Sequence, residues 1–255
     1  MDIRNDKIRM KLERLNTSKC PGLDNIHPKL LHELRDSITK PLGILYRASL
    51  ARGEVPSDWR DAGVTPLFKK GKRSDPQNYR PVSLTSIPCK ILESIIKEEI
   101  VQYLEKFALI NESQHGFTVG RSCLTNLLEF MEDITEILDK GNSVDIIYLD
   151  FAKAFDKVSH QCLCKKLESH GISGQLALWI KNWLSDRRQK VKVDGVYSNW
   201  ENVLSGVPQG SVLGPLLFLI FINDIDEDVM SNLKKFANGA KLYREIGCSR
   251  DSDIL

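Results

Sequence analysis

Two segments of this 255-residue sequence have residue types and spacing that suit metal-dependent or ligand-binding chemistry. The first centres on Asp150, which directly follows the apolar, β-branched run 144–149 and precedes Phe151. A carboxylate at the end of a buried strand has a fixed backbone, which suits it to hold a divalent cation. An aspartate in such a position is also typical of a plain cap or turn, so a second signal is needed.

The second segment is the heptad 205–211, Ser-Gly-Val-Pro-Gln-Gly-Ser, which leads into an apolar stretch. Its two glycines and its proline allow a backbone turn to pass close to a ligand. The amide of Gln209 is then a candidate contact for a base or a phosphate. A strand-to-helix turn without any ligand explains the same residues equally well.

Hydrophobic periodicity predicts helices and strands in irregular alternation around these segments. The spacing predicts strands at 63–68 and 144–149, the latter buried, a hairpin turning at Asp194-Gly195, and a strand–turn–strand at 234–243. Helices are expected near 8–15, 30–45, 92–104, 161–169, 174–185 and 211–224. The irregular order favours an α+β fold over a doubly wound parallel sheet.

One further predicted helix starts at a Ser122 or Thr125 cap and ends at Gly141. Its apolar residues recur at helical spacing, so one face is expected to be buried. That face comprises Leu124, Leu127, Leu128, Met131, Ile134 and Leu138.

Composition excludes global disorder, because 42% of the residues are hydrophobic and 27% are charged. The longest apolar run, 212–222, has eleven residues interrupted by Gly214 and Pro215, which is too short to span a bilayer. The polar N-terminus predicts no secretory leader, and the six cysteines have neither disulfide nor zinc spacing. We therefore expect an intracellular protein, nuclear or cytoplasmic, without a membrane partner.

Charge is distributed unevenly although the net charge is only +2. Residues 1–90 hold 18 basic and 10 acidic residues, a balance that can attract phosphates. A solvated charged surface explains the same balance.

Ordered blocks along nearly the whole chain resemble the reverse transcriptase domain of non-LTR retrotransposons, of the LINE type and jockey-like. The matching blocks are 18–26, 59–72, 75–85, 113–117, 148–156, 205–215 and 221–224. The resemblance implies a right-hand polymerase fold reduced to fingers and palm, with the thumb missing. It implies a lead helix and linker at 1–20, fingers at 21–120, and a palm at 121–255 that is incomplete at its C-terminus.

The resemblance also implies the chemistry of an RNA-directed DNA polymerase, which is nucleotidyl transfer with two Mg²⁺ or Mn²⁺ ions. The implied partners are an RNA template, a DNA primer and deoxynucleotides, and no protein partner is indicated. Asp150 and the carbonyl of Phe151 would bind a metal. Phe155 would be a steric gate that excludes ribonucleotides, although core packing also explains an aromatic residue there.

The remaining implied contacts are to the nucleotide and the template. Arg80, with Lys69 or Lys70, would grip the triphosphate, for which a planar guanidinium is well suited. A solvated surface is the alternative for these three residues. Gln209 and Gly210 would support the nascent base pair and the template.

The third palm motif departs from the family pattern Phe-Ala-Asp-Asp. The matching residues are Phe236-Ala237-Asn238-Gly239, so Asn238 and Gly239 occupy the aspartate positions. Of three expected carboxylates only Asp150 is left, and we expect weakened metal binding and impaired catalysis. Asp156 and the acidic cluster 224–228 are expected to be solvated or capping residues rather than replacements.

Three alternatives remain open from the sequence. One is an active polymerase that tolerates Asn238 and Gly239. Another is a non-catalytic nucleic-acid-binding remnant that uses the basic fingers. The third is a product of a decayed element that has no function.

Overall fold

The computed structural model describes residues 2–247 and residue 251. The α-helices are α1 (Asn5–Glu13), α2 (Pro28–Glu33), α3 (Arg35–Arg52), α4 (Ser57–Arg60), α5 (Ile87–Lys106), α6 (Cys123–Asp139), α7 (His160–Ser169), α8 (Gly174–Leu184) and α9 (Gly214–Ile222). The strands are β1 (Asp61–Phe68), β2 (Tyr79–Leu84), β3 (Ser143–Asp150), β4 (Arg187–Val193), β5 (Val196–Tyr197), β6 (Glu201–Val203), β7 (Asn232–Phe236) and β8 (Gly239–Ile246). The predicted helices and strands have counterparts in the structure, but the helix expected over 30–45 is divided into α2 and α3, and the second hairpin strand is divided into β5 and β6. The mixed α+β class is confirmed.

The contacts divide the chain into two compact units. Unit 1 comprises Met1–Lys106 and Phe155–Leu217, and unit 2 comprises Phe107–Ala154 and Phe218–Leu255. These units are defined by contacts and not by role. The assignment of 1–20, 21–120 and 121–255 to a lead segment, fingers and palm therefore stays a prediction.

Unit 1 contains a sheet in the order β2-β1-β4-β5, with β6 paired to β4. Strand β1 pairs antiparallel with β2 and parallel with β4. The predicted hairpin is formed by β4 and β5, where Val193 pairs with Val196. Its turn residues, Asp194 and Gly195, have φ values of +48° and +85°. A type I′ turn requires positive φ at both positions, so the turn chemistry is confirmed.

A buried carboxylate, Glu93 of α5, organises the interior of unit 1. Its Oε2 accepts hydrogen bonds from the backbone N–H groups of Val212 (2.6 Å) and Leu213 (3.2 Å), just before α9. Its Oε1 accepts from the indole N–H of Trp183 at 3.2 Å. Glu93 thus fixes the backbone of the two residues before α9, while Ser211 Oγ accepts from the first N–H group of the helix, that of Gly214, at 3.0 Å.

Unit 2 contains the sheet β3-β8-β7, with α6 packed against it. Its core is formed by Phe130, Ile134 and Tyr243, against which Val144 and Ile146 pack. The rings of Phe130 and Tyr243 meet edge to face, with centroids 5.2 Å apart. Such contacts between a helix and a sheet determine which helix face is buried.

The predicted buried face of α6 is wrong. The structure buries Asn126, Phe130, Ile134 and Ile137 instead, so only Ile134 belongs to both sets. The apolar residues surround the helix, and packing of Phe130 on Tyr243 selects one face. The amide of Asn126 is satisfied there, since it donates to the carbonyl of Lys235 (3.2 Å) and accepts from Lys241 Nζ (2.8 Å). The predicted Ser122 cap is confirmed, as part of a capping box with Thr125.

The expectation that strand β3 is buried is also wrong. Val144 and Ile146 are half-buried against Phe130, whereas Ile147, Tyr148 and Leu149 are exposed. The sheet of unit 2 carries its helix on one face, and β-branched content does not distinguish one covered face from two. In the part of the chain that the structure describes, no helix has the length and apolarity needed to cross a bilayer.

Replacing Glu93 with alanine is expected to lower the free energy of unfolding by about 3 kcal/mol. The change leaves two backbone N–H groups and one indole N–H buried without acceptors. Urea denaturation measures the difference. The matched control is Glu98→Ala on the same helix, because Glu98 is an exposed partner of Lys11 and its loss should change stability by less than about 1 kcal/mol. Equal effects of the two substitutions would contradict this role for Glu93.

Candidate active site

A tight turn in unit 2 places Asn238 beside Asp150. Strand β7 ends at Phe236, which pairs with Gly239 at the start of β8, so the turn consists of Ala237 and Asn238. Asp150, the last residue of β3, pairs with Gly239 across the sheet. The strand end and the turn are therefore neighbours, as the predicted strand–turn–strand requires.

The side-chain amide of Asn238 is directed at the two groups expected to bind a metal. Asn238 Nδ2 donates to Asp150 Oδ1 at 2.7 Å and lies 3.5 Å from the carbonyl oxygen of Phe151. The backbone N–H of Phe151 donates in turn to the carbonyl of Asn238 at 3.1 Å. Both neighbouring oxygens are acceptors, so the NH₂ side of the amide must face them.

The residues present do not fit a two-metal centre. A carboxylate and a carbonyl that would share a cation share instead the N–H donors of Asn238. Within residues 2–247 and 251, no group of three or more His, Cys, Asp or Glu side chains is arranged to hold a metal ion. The hydrogen bond partly replaces the electrostatic role of a cation, but an amide is neutral and binds no substrate oxygen as a Lewis acid does.

Gly239 is not required by the backbone at its position. A Cβ atom added there would lie 3.6 Å from the carbonyl oxygen of Phe236 and 3.9 Å from that of Leu149, which are ordinary contacts. Its φ is outside the left-handed region that favours glycine. The backbone therefore accepts a Cβ atom at this position.

The block 113–117 braces the Asn238 turn. Gln114 and Lys235 form a parallel bridge, with hydrogen bonds from Lys235 N to Ser113 O (2.7 Å) and from His115 N to Lys235 O (2.9 Å). The buried Gln114 Oε1 accepts from Ala237 N at 3.1 Å and from Gly116 N at 2.8 Å. A Cβ atom on Gly116 would lie 2.2 Å from Ala237 N, so only glycine permits this approach.

The acidic cluster 224–228 is not simply solvated, which corrects the expectation for Asp226. Asp226 Oδ1 accepts from the ammonium of Lys235 at 2.6 Å, and its Oδ2 accepts from Ser113 Oγ at 2.7 Å. The Lys235 side chain is 1% exposed, and burial lowers its pKa while Asp226 opposes that shift. Asp226 is thus committed to a buried cation and does not replace a lost aspartate.

The buried side chain of His115 lies in a polar network of unit 2. Its Nδ1 is 3.0 Å from Thr125 Oγ1, and its Nε2 is 3.2 Å from Glu129 Oε2 and 3.1 Å from Arg121 Nη1. Burial lowers the pKa of the imidazole; Glu129 raises it, and Arg121 and Lys234 lower it further. Arg121, Glu129 and Lys234 of this network line a polar cavity of about 300 Å³. The neutral ring is therefore the form that the folded state favours.

In unit 1, the heptad 205–211 packs on the segment that follows Ala154. Val207 N donates to the carbonyl of Phe155 at 2.8 Å, and Ser205 Oγ donates to the carbonyl of Asp156 at 2.9 Å. Gln209 Nε2 donates to Asp156 Oδ1 at 3.0 Å. Asp156, expected to be solvated, is half-buried and holds the Gln209 amide in place.

The other side of the heptad contacts strand β2. Ser83 N donates to the carbonyl of Gln209 at 2.7 Å. Gly210 has a φ of +126°, and a Cβ atom there would lie 2.5 Å from Ser83 O, so glycine is required. The heptad is thus a fixed turn between β2 and the segment 155–158, and its proposed contacts with a base pair stay a prediction.

The three basic residues predicted to bind triphosphate are all exposed in unit 1. Arg80 lies on β2 opposite Leu67 of β1, and Lys69 and Lys70 directly follow β1. Lys69 N donates to the carbonyl of Asn78 at 2.8 Å, which continues the hairpin. Exposure leaves these charges available to an anion without assigning one.

The structure thus brings together Asp150, Phe151, Asn238 and Gly239 in unit 2, and Phe155, Gln209 and Gly210 in unit 1. Sequence reasoning missed the residues that hold these groups. They are Gln114, Lys235, Asp156 and Glu93. Position inside a matching block was the available signal for Gln114 and Asp156, and none of the four residues could be paired with its partner without the fold.

Comparison with known proteins identifies the family. A sequence profile of the family described as "Reverse transcriptase (RNA-dependent DNA polymerase)" matches residues 68–244, more than two thirds of the chain. This chain belongs to the reverse transcriptase family. The predicted non-LTR affinity is confirmed as well, because the similar proteins come from such mobile elements.

Two relatives from Drosophila melanogaster illustrate the similarity. The probable RNA-directed DNA polymerase from transposon BS is 31% identical over 88% of this chain and 25% of its own length. The RNA-directed DNA polymerase from mobile element jockey is 29% identical over 86% of this chain and 24% of its own length. The chain thus spans about a quarter of the length of these curated relatives.

A solved structure supports the fold. Apo telomerase from Candida tropicalis, truncated from its C-terminal domain, superposes with a TM-score of 0.57 at 13% identity. The superposition covers 86% of this chain and 50% of the telomerase chain. At this level of identity the likeness shows a shared reverse transcriptase fold and nothing about activity.

Replacing Asn238 with aspartate is expected to lower the free energy of unfolding by about 1–2 kcal/mol in metal-free buffer. It converts a hydrogen bond to Asp150 into repulsion between two carboxylates. Millimolar Mg²⁺ should recover the loss, measured as melting temperature with and without EDTA. Asn238→Ala is the matched control, since it removes the hydrogen bond without adding charge and should not respond to Mg²⁺. An aspartate variant as stable as the parent in EDTA would contradict the assigned geometry.

Stability is expected to fall as the pH drops from about 7 to 5, partly through His115. Its folded-state pKa is lowered by burial, so below the unfolded value of about 6.5 the unfolded chain binds more protons. Urea denaturation at several pH values gives the free energy of unfolding. Plotted against pH, this free energy should have a smaller slope for His115→Asn than for the parent. An unchanged slope would exclude His115 as the titrating group.

Proposed function

We propose that this chain is a reverse transcriptase domain that keeps nucleic-acid contacts and has lost metal-dependent catalysis. The observation that carries the proposal is the hydrogen bond from Asn238 to Asp150, where the family pattern places carboxylates. The ancestral partners, by analogy with the names of the relatives, are an RNA template, a DNA primer and deoxynucleotides.

The charge of the site supports loss of catalysis. Two divalent ions need several anionic ligands to offset their desolvation, and Asp150 alone supplies a single negative charge here. Loss of ~5 kcal/mol of transition-state stabilisation slows a reaction roughly 4,000-fold. Mg²⁺ or Mn²⁺ binding at Asp150 and Phe151 is accordingly proposed to be weak.

The remaining residues keep roles that do not require a metal. Phe155 is proposed as the gate beneath the incoming sugar, and Gln209 with Gly210 as a support for the base pair. Arg80, Lys69 and Lys70 are proposed to bind phosphates, in keeping with their exposure. Fixation of the Gln209 amide by Asp156 supports a rigid template contact, because a preorganised group loses less entropy on binding.

Primer extension on an RNA template with Mg²⁺ or Mn²⁺ tests the proposal. The parent chain should give no extension above background, whereas Asn238→Asp combined with Gly239→Asp should gain extension by about 100-fold or more. The room around Gly239 makes the double variant structurally compatible. Asp150→Ala in the double variant is the control and should abolish the gain.

Two results would contradict the proposal. Extension by the parent chain that disappears in Asp150→Ala would show that Asn238 and Gly239 are tolerated. Absence of extension by a correctly folded double variant would place the defect outside the turn. Binding of the template–primer duplex, measured in parallel, separates loss of catalysis from loss of recognition.

A further inference from the structure

One face of the sheet in unit 1 alternates basic groups with aromatic rings. Lys190 Nζ lies 4.2 Å from the ring centroid of Tyr197 and 4.8 Å from that of Trp200. Lys192 Nζ lies 5.2 Å from the Tyr197 ring. We call Lys190, Lys192, Tyr197 and Trp200 the hairpin face.

The strand register places the hairpin face on the same side of the sheet as Arg80. Gly63 of β1 pairs with Lys190, and Leu67, four residues further along β1, pairs with Arg80. Residues two and four apart on a strand share a side, and directly paired residues share one too. Lys192 and Tyr197 are likewise a direct cross-strand pair. Arg80 and the hairpin face thus lie on the same side of the sheet.

The charges of the hairpin face are not neutralised by the hairpin itself. From 187 to 200 the chain carries four basic residues and one acidic residue. Arg188 forms a bidentate pair with Asp61, at 2.7 and 3.1 Å, and is therefore engaged. Arg188 also lies over the Trp200 ring, with its Cζ 4.8 Å from the centroid. Lys190 and Lys192 lie over rings too, and a ring carries no negative charge that would neutralise an ammonium group.

The rings themselves are unusually accessible for their size. Tyr197 and Trp200 are each 41% exposed, although large aromatic side chains are usually mostly buried. Aromatic platforms flanked by lysines are the arrangement on which single-stranded nucleic acid stacks its bases while its phosphates are neutralised. Paired bases in a duplex do not offer their faces to such rings.

We infer that the hairpin face binds single-stranded nucleic acid, by base stacking on Tyr197 and Trp200 and phosphate contacts from Lys190 and Lys192. This rests on the proposed function for the class of partner, and it names a surface between the motif blocks 148–156 and 205–215. Base stacking and phosphate contacts are common to RNA and DNA, so single-stranded RNA and single-stranded DNA are both expected to bind.

Equilibrium binding of 12-nucleotide RNA and DNA strands, without metal or nucleotide, tests the inference. Tyr197→Ala and Trp200→Ala should each weaken binding about tenfold, whereas Tyr197→Phe and Trp200→Phe should keep it within about threefold. Lys190→Gln with Lys192→Gln should reduce the slope of log affinity against log salt by about 1.4. Lys29→Gln with Lys40→Gln, at exposed positions on helices α2 and α3, is the charge-matched control and should change the slope less.

The outcomes separate this inference from the proposed function. Alanine variants that lower the melting temperature but bind normally would overturn it, because the rings would then serve only the stability of the hairpin. Binding of poly-glutamate as tight as that of the RNA and DNA strands would also contradict the inference, because poly-glutamate has negative charges but no bases to stack. Duplex binding without single-strand binding would contradict the inference about the hairpin face but would agree with the proposed function. If an alanine variant fails to fold, the phenylalanine and glutamine variants still show whether the hairpin face binds single-stranded nucleic acid.

Discussion

The hydrogen bond between Asn238 and Asp150 is the interaction on which the arrangement of the candidate site depends. A two-metal centre gathers carboxylates around its cations. Here the neutral amide satisfies Asp150 and Phe151 directly. The sheet of unit 2 is thereby complete as a hydrogen-bonded structure without a metal, because no pair of carboxylates has to be kept apart.

The rest of unit 2 positions this pair through the backbone. Gln114, Gly116 and Lys235 contact the backbone of the turn. The buried ammonium group of Lys235 is neutralised by Asp226. This scaffold does not depend on the identity of residues 238 and 239. The space at Gly239 is separate from this scaffold, because a Cβ atom there would meet only the carbonyl oxygens of Phe236 and Leu149 at ordinary contact distance.

In unit 1, too, buried or half-buried side chains and backbone groups hold the candidate residues in position. Glu93 fixes the start of α9, and Asp156 and Ser83 fix the heptad between them. The sheet then presents Arg80 and the hairpin face on one side. The residues proposed to recognise nucleic acid and those expected to bind a metal are thus separate groups, which is why the proposal keeps one role without the other.

Local chemistry was determined by the sequence itself. The Asp194-Gly195 turn, the Ser122 cap and the absence of a carboxylate at Asn238 and Gly239 all depend on neighbouring residues or on residue type. The family and the α+β class followed from ordered blocks and hydrophobic periodicity. Only the tertiary structure decided which face of α6 is buried, how far β3 is exposed, and that Asn238 bonds to Asp150 across 88 residues. These depend on packing between distant segments, which local periodicity does not encode.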